Sequence, residues 1–565
     1  MESKPPVPAS RTLILGTVVL TLTLAACAGV GNSSSGAAPN IGAGDGLGGA
    51  GASVDGGTGG ATTRPEQELD SAYQIPVGTS RFVWIANPTS GRVAAVDAQS
   101  LAVTTVEAGD APTTISAVPV AGGGDEVVVL NALSNDATVL RADGTSLSSR
   151  TIPGVTPGSN QLVVSPAGRT AIAWTDWRRV ASPRATQGFQ SITVLTLGAV
   201  DPAAAPGAPN APASAAHTTL AVGFRPVSVT FSADERRAFA VTEDGVSIIS
   251  IDATGGPAVN ANIALGDDPT ASADTRDVSI TADGRFAVVR REGSDTVSIV
   301  DLASGAITPI RLAGPVTDVD ISPDGTRAVA VVRDTAQVAL IPLGGAAPSA
   351  VDLTVLTIAG ETIGQVVLTA NGNLAVLYSN AIAAERVTVV DLAAAAAPSA
   401  TPAWRTLRVH AAVLSVLASP DGRGAVVLHP GDMTSPAPSA GATIVAGAFS
   451  LLPLDGTHPA LIQSTDAPIQ SVSFSAAGDR ALITVRDDGH QIYGVYLGMF
   501  PALEVRRYPL ASPPIAAGVA AAAGRGYVAQ QHPEGRITFI TLDSGEARTL
   551  TGYELGARVV DWSRP

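Results

Sequence analysis

The densest group of side chains suited to ligand chemistry is Trp174-Thr175-Asp176-Trp177-Arg178-Arg179. Two indoles offer flat faces to a ring or a cation, and guanidiniums can grip an anion through paired N–H donors. The structural alternative is a Trp174 that ends a strand in the core, with the arginines solvated around it. Of the six histidines, none forms an H-x-x-x-H or H-E-x-x-H arrangement. His429, His490 and His532 fall at corresponding turns, so a shared metal would need them to converge in space, and the metal question stays open. No EF-hand loop, G-x-S-x-G elbow, C-x-x-C-H haem attachment or strand-to-helix G-x-G-x-x-G occurs. The expectation is no assignable catalytic residue and no cofactor.

Composition narrows the field. The chain carries 34 Lys+Arg against 49 Asp+Glu, a net charge of −15, which argues against nucleic-acid binding because phosphate contacts need a basic footprint. Its single cysteine excludes a disulfide framework and a Cys-rich metal site. Lys4 is the only lysine, and every other basic residue except the histidines is an arginine. With 565 residues and 45% hydrophobic content, the chain is long enough for several domains or one large repeat assembly.

Lys4 and Arg11 precede an uncharged run from Thr12 to Ala26 that ends in Leu24-Ala25-Ala26-Cys27. A basic start, a short apolar stretch and small residues before a cut form the signal-peptide pattern. The run is short against the ~20 residues that span a bilayer. The Leu-Ala-Ala-Cys sequence resembles the lipobox of bacterial lipoproteins. That resemblance implies residues 1–26 as a signal peptide, lipidation of Cys27 and anchoring in the cell envelope, with Ala28 favouring the outer membrane. Cleavage would remove Lys4 and block the only thiol, leaving no lysine Schiff base and no cysteine nucleophile. Residues 27–75 are Gly/Ser/Ala-rich without apolar period, the composition of a flexible tether.

Residues 76–565 read differently. Short β-rich runs of alternating apolar character are punctuated by a recurring turn: Ser165-Pro-Ala-Gly168, Ser232-Ala-Asp-Glu235, Thr281-Ala-Asp-Gly284, Ser322-Pro-Asp-Gly325, Thr369-Ala-Asn-Gly372, Ser419-Pro-Asp-Gly422 and Ser475-Ala-Ala-Gly478. Degenerate copies lie near Pro119–Gly124 and Ala522–Gly524. Proline presets one turn residue, aspartate bonds back to the backbone, and glycine takes the positive φ. Each unit continues with a strand ending in Asn or Asp and a third strand such as Thr296–Asp301 or Arg386–Asp391. This grammar resembles the β-propeller superfamily, above all the YVTN, lactonase-like and TolB-like repeat proteins.

The resemblance implies an all-β fold of four-stranded antiparallel blades, about eight to ten of them. About ten units exceed the roughly 4–8 blades usual in propellers, so one large ring, two rings or incomplete weak copies all remain open. Phe82–Asn87 reads as a second strand lacking its inner neighbour, and Ala557–Trp562 as a lone inner strand. The expectation is that the C-terminal strand closes the ring in blade 1.

In that topology the ends of the second strands share one rim. The candidate ligand-binding residues there are Trp174, Asp176, Trp177, Arg178, Arg179, Arg291, Arg333, His429, Arg486, His490 and His532. Turns favour polar residues anyway, so each has a structural reading beside the functional one. The functional expectation is a non-catalytic binding or assembly platform for an envelope protein, peptide or glycan. The alternative is a lactonase-like hydrolase with its site at the propeller mouth.

Overall fold

In the computed structural model, the described residues are 76–552 and 558–560, apart from 122, 145, 199–216, 267–275, 345–352, 397–401, 432–445 and 533–534. The signal segment, Cys27 and the tether lie outside them, as do residues 201–216 and 432–442.

Each repeat builds a four-stranded antiparallel sheet, with its strands A to D in chain order. Ten such blades occupy 77–107, 112–153, 161–221, 228–263, 276–311, 318–357, 365–408, 415–465, 469–509 and 514–551. The two degenerate repeats are therefore full blades, the second and the tenth. Helix is almost absent; one short helix, Leu392–Ala395, is capped by Asp391.

The recurring turn works through side chain–backbone bonds. In blade 6, Ser322 Oγ donates to Asp324 Oδ1 at 2.5 Å and accepts from the Arg327 amide at 3.1 Å, while Asp324 Oδ1 accepts from the Thr326 amide at 3.0 Å. Ser232/Asp234, Thr281/Asp283, Thr369/Asn371 and Ser419/Asp421 repeat the hydroxyl contact. The acid that ends strand C does the same at the next turn: Asp97 accepts from the Gln99 amide and Asp301 from the Ser304 amide. Most repeat acids are thus turn residues, consistent with local side chain–backbone bonding.

Blade-to-blade packing closes a single ring. Ten clusters of buried apolar side chains fill ten seams, one between each pair of consecutive blades and one between blades 10 and 1. The closing seam joins Val83, Ile85, Ala94 and Val96 to Ala520, Tyr527, Ile537 and Phe539. Hydrogen bonds cross it from the Ala522 amide to Ser80 O (2.8 Å) and from Arg525 Nη1 to Ala98 O (2.9 Å).

The expected role of the C-terminal strand is corrected here. Strand A of blade 1 is Val77–Gly78, supplied by the chain just before Phe82–Asn87. Arg558–Val560 instead runs parallel to Val103–Glu107, the outer strand of blade 1, pairing Thr104 with Arg558 and Val106 with Val560. With the inner position already filled, the remaining free edge of that blade is the outer one.

Candidate functional site

In an antiparallel meander the A–B and C–D turns lie on one face, and the B–C turns and D–A connections on the other. The second face carries the candidate rim. Its largest described loop, 175–190, starts where Trp174 ends strand B of blade 3. Trp174 is only 6% exposed, packed with Val222 and Val229 between blades 3 and 4. Its indole N–H has no acceptor. Asp176 is buried and caps the turn Trp177–Arg179 through the Arg178 amide.

The loop is pinned by a residue that the sequence did not single out. Arg225, in the connection to blade 4, lies between two rings, 4.8 Å from the Trp177 centroid and 4.9 Å from that of Phe224. Its Nε donates to Gln187 O at 3.1 Å, its Nη2 to Arg184 O and Ala185 O at 3.2 Å, and its Nη1 sits 3.6 Å from Glu243. Stacked and fully engaged, this guanidinium holds the loop against the next blade. Arg178 makes a two-point contact with Asp176, both bonds 2.9 Å, and reaches Val227 O. Arg179 is left largely exposed, 3.8 Å from Asp176. A Phe-Arg-Pro sequence in a D–A connection is the only trace of this arrangement in the sequence.

The other candidates sit on separate blades. Arg291 ends strand B of blade 5 and Arg333 opens the turn Arg333–Thr335 of blade 6. Arg486 is bound to Asp488 at 2.8 Å and reaches Gln531 of blade 10. His490 is exposed, its Nδ1 2.8 Å from Asp487, and half-buried His532 belongs to blade 10. Among the described residues, no three His, Cys, Asp or Glu side chains are grouped to hold a metal.

His429 turns inward. It is 3% exposed, with Nδ1 2.8 Å from Ala412 O and Nε2 2.7 Å from Ser450 Oγ, itself fully buried. A carbonyl only accepts, so Nδ1 carries the proton and Nε2 accepts from the serine hydroxyl. The spacing is that of a nucleophile and its base, but both groups are enclosed beneath the connection between blades 7 and 8 and tie it down. Burial pulls the imidazole pKa below 6.5, against the bond to Ala412, which raises it. The unfolded chain therefore binds this proton more readily. The associated stability is present above pH ~6.5 and is lost as pH falls through the folded value, by up to ~1.4 kcal/mol per unit. His429→Gln should flatten that acid limb in pH-dependent urea unfolding; an unchanged slope would assign it elsewhere.

Sequence reading also passed over the inner strands. Of the ten, only those of blades 5 and 6 carry charge: Arg276 and Asp277, then Asp318 and Asp320. The signal was available, since Asp-Val-Asp-Ile stands where the fourth repeat has Ser228-Val-Thr-Phe.

No family model matches the chain, and no curated protein matches it. Solved structures do. Hydrazine synthase from Kuenenia stuttgartiensis is 16% identical, with 58% of this chain and 95% of that one covered at a TM-score of 0.32. The dihydro-heme d1 dehydrogenase NirN, solved with DHE, is 16% identical over 69% and 75%, TM-score 0.39. The Cps50 (Swd1) β-propeller domain from Myceliophteria thermophila is 13% identical over 57% and 95%, TM-score 0.31. At these identities and scores the likeness transfers no activity, ligand or partner to this chain.

Proposed function

We propose that the chain is an envelope lipoprotein, anchored through Cys27, whose YVTN-like propeller is a non-catalytic binding or assembly platform for a protein, peptide or glycan. The observation that carries this reading is the loop 175–190. It is locked by Arg225, stacked on the Trp177 ring, and leaves Arg179 and Arg184 exposed. A fixed loop that presents cationic groups can bind without a large ordering cost.

Photocrosslinking from position 179 in cells tests it. One discrete adduct is expected with the wild-type loop and a several-fold weaker one with Arg225→Ala, which frees the loop while leaving position 179 intact. Adducts no different from those of an outer-strand position such as 548 would overturn the reading. Cys27→Ala should release the protein from the membrane; a processed, membrane-retained variant would contradict the anchor.

The lactonase-like alternative has one observation in its favour, the Ser450–His429 contact, and both groups are enclosed. Turnover of a lactone or ester panel, abolished by Ser450→Ala, would restore it.

A further inference from the structure

Strand A of blade 6, Asp318–Ile321, turns Val319 and Ile321 into the apolar seam with blade 5 and its two aspartates toward blade 7. There the carboxylates meet the axis-facing edge of the next inner strand, Gln365–Leu368. Asp318 Oδ2 accepts from the Val366 amide at 2.7 Å, its Oδ1 from the Val319 amide at 2.8 Å, and Asp320 accepts from the Leu368 amide. Thr317 Oγ1 adds a bond to Gly364 O at 2.6 Å. An inner strand's free edge is a row of unpaired amides, and this seam covers it with carboxyls. At the seam of blades 9 and 10 a neutral hydroxyl bridges instead, Ser473 Oγ donating to Ala517 O at 2.8 Å.

The difference is charge without a counter-charge. In blade 5, Asp277 lies opposite Arg290 in register and forms an ion pair with it. In blade 6 the register partners of Asp318 and Asp320 are Val331 and Val329. Four strands pack against this one. Of those, Asp277 and Arg290 bear on Asp318 from blade 5, while Arg276 turns away to Thr242 O and Glu243 O of blade 4 and Arg291, at the end of strand B, lies against Gly266. Arg327, the charged residue on the adjacent strand B, donates to Leu392 O, and the blade 7 strand Gln365–Leu368 has no charged residue. Asp318 therefore shares one arginine with Asp277, which is already paired with it, and the charged neighbour of Asp320 is Asp318 itself.

We propose that the seam between blades 6 and 7 is a proton-operated joint, tightest with Asp318 and Asp320 both protonated and loosened progressively as they ionise. Desolvation within the seam pushes half-buried Asp318 up to about 7, and desolvation together with the charge of Asp318 pushes half-buried Asp320 well above the ordinary carboxyl range. Between the unfolded value of 3.8 and the raised folded value, the native state holds a proton that the unfolded chain has lost. Stability from this pair is accordingly greatest in acid and falls as pH rises through that window, with the full cost in place above it.

Hydrogen exchange of the full-length chain tests the joint, read from peptides spanning 364–369 and corrected for intrinsic base catalysis. Protection in wild type should fall about tenfold between pH 5.5 and 8, the equivalent of one pKa unit of differential proton binding. Asn keeps an oxygen for each amide but cannot ionise, so Asp318→Asn/Asp320→Asn should show at most about a twofold fall. Peptides at the neutral 473–517 seam should not respond in either protein. The same fall in the variant, or pH-independent protection in wild type, overturns the proposal. If the double variant fails to fold, Asp320→Asn alone carries the same comparison.

Discussion

Tyr527→Ala is expected to open the ring at the seam of blades 10 and 1, lowering stability by ~3–5 kcal/mol, the usual range for truncating a buried aromatic. Tyr527 is 3% exposed, and its hydroxyl reaches Pro76 O at 3.4 Å. The ring fills space that two glycines leave: a Cβ on Gly78 would stand 2.6 Å from Tyr527 Cε1, and one on Gly518 2.6 Å from its oxygen. Removing the ring leaves a void in the apolar cluster that joins the first and last blades. Every other seam joins blades consecutive in the chain, whereas this one joins the first blade to the last and is held by its apolar cluster and a few hydrogen bonds. Guanidinium unfolding followed by circular dichroism, with hydrogen exchange in residues 77–107, would report the loss. Deletion of residues 558–565 should cost less than ~1 kcal/mol, because it strips only an outer-edge strand. A truncation as damaging as Tyr527→Ala would return closure to the C-terminal strand.

Gly168→Ala and Gly325→Ala provide the second large effect and its control. Both glycines hold the same repeat position with positive φ, 72° and 69°. Left-handed backbone costs an alanine ~1–2 kcal/mol, and that is the whole expected cost at Gly325, where a Cβ would find its nearest neighbour 3.5 Å away. At Gly168 the Cβ would lie 2.1 Å from the carbonyl oxygen of Pro119, a backbone atom of blade 2. The turn would have to part from its neighbour, adding ~1–3 kcal/mol. Equal losses in thermal unfolding of the two variants would show that the inter-blade contact at Gly168 does not matter. Glu235 shows how the position tolerates another residue. At φ 59° it sends its carboxylate to Arg169 at 2.9 and 3.0 Å and to the Ala167 amide of blade 3.

Much of the fold is legible in the sequence because its rules are local. Ser322, Asp324 and Gly325 close their turn with bonds spanning five residues, and the alternation in Arg386–Asp391 needs only its own sheet to be read. The site was less legible. Trp174 and Asp176 read equally well as ligand groups or as core and cap, and their burial follows from blade 4 packing over them. Arg225 lies ~50 residues from Trp177, too far for any local pattern to link them. Asp318 and Asp320 were passed over, and their significance depends on which amides face them from blade 7.

By itself, then, the sequence determined the four-stranded repeat, its turn chemistry, a count of about eight to ten units and the absence of a thiol beyond Cys27, since each depends on residues near one another along the chain. Only the tertiary structure decided that ten blades form one ring, that residues 77–78 and not the C-terminus supply its first inner strand, and which charges neutralise each other. Those outcomes are set by contacts between blades. A seam is chosen by the shapes and charges of two faces that the chain brings together only once it has folded.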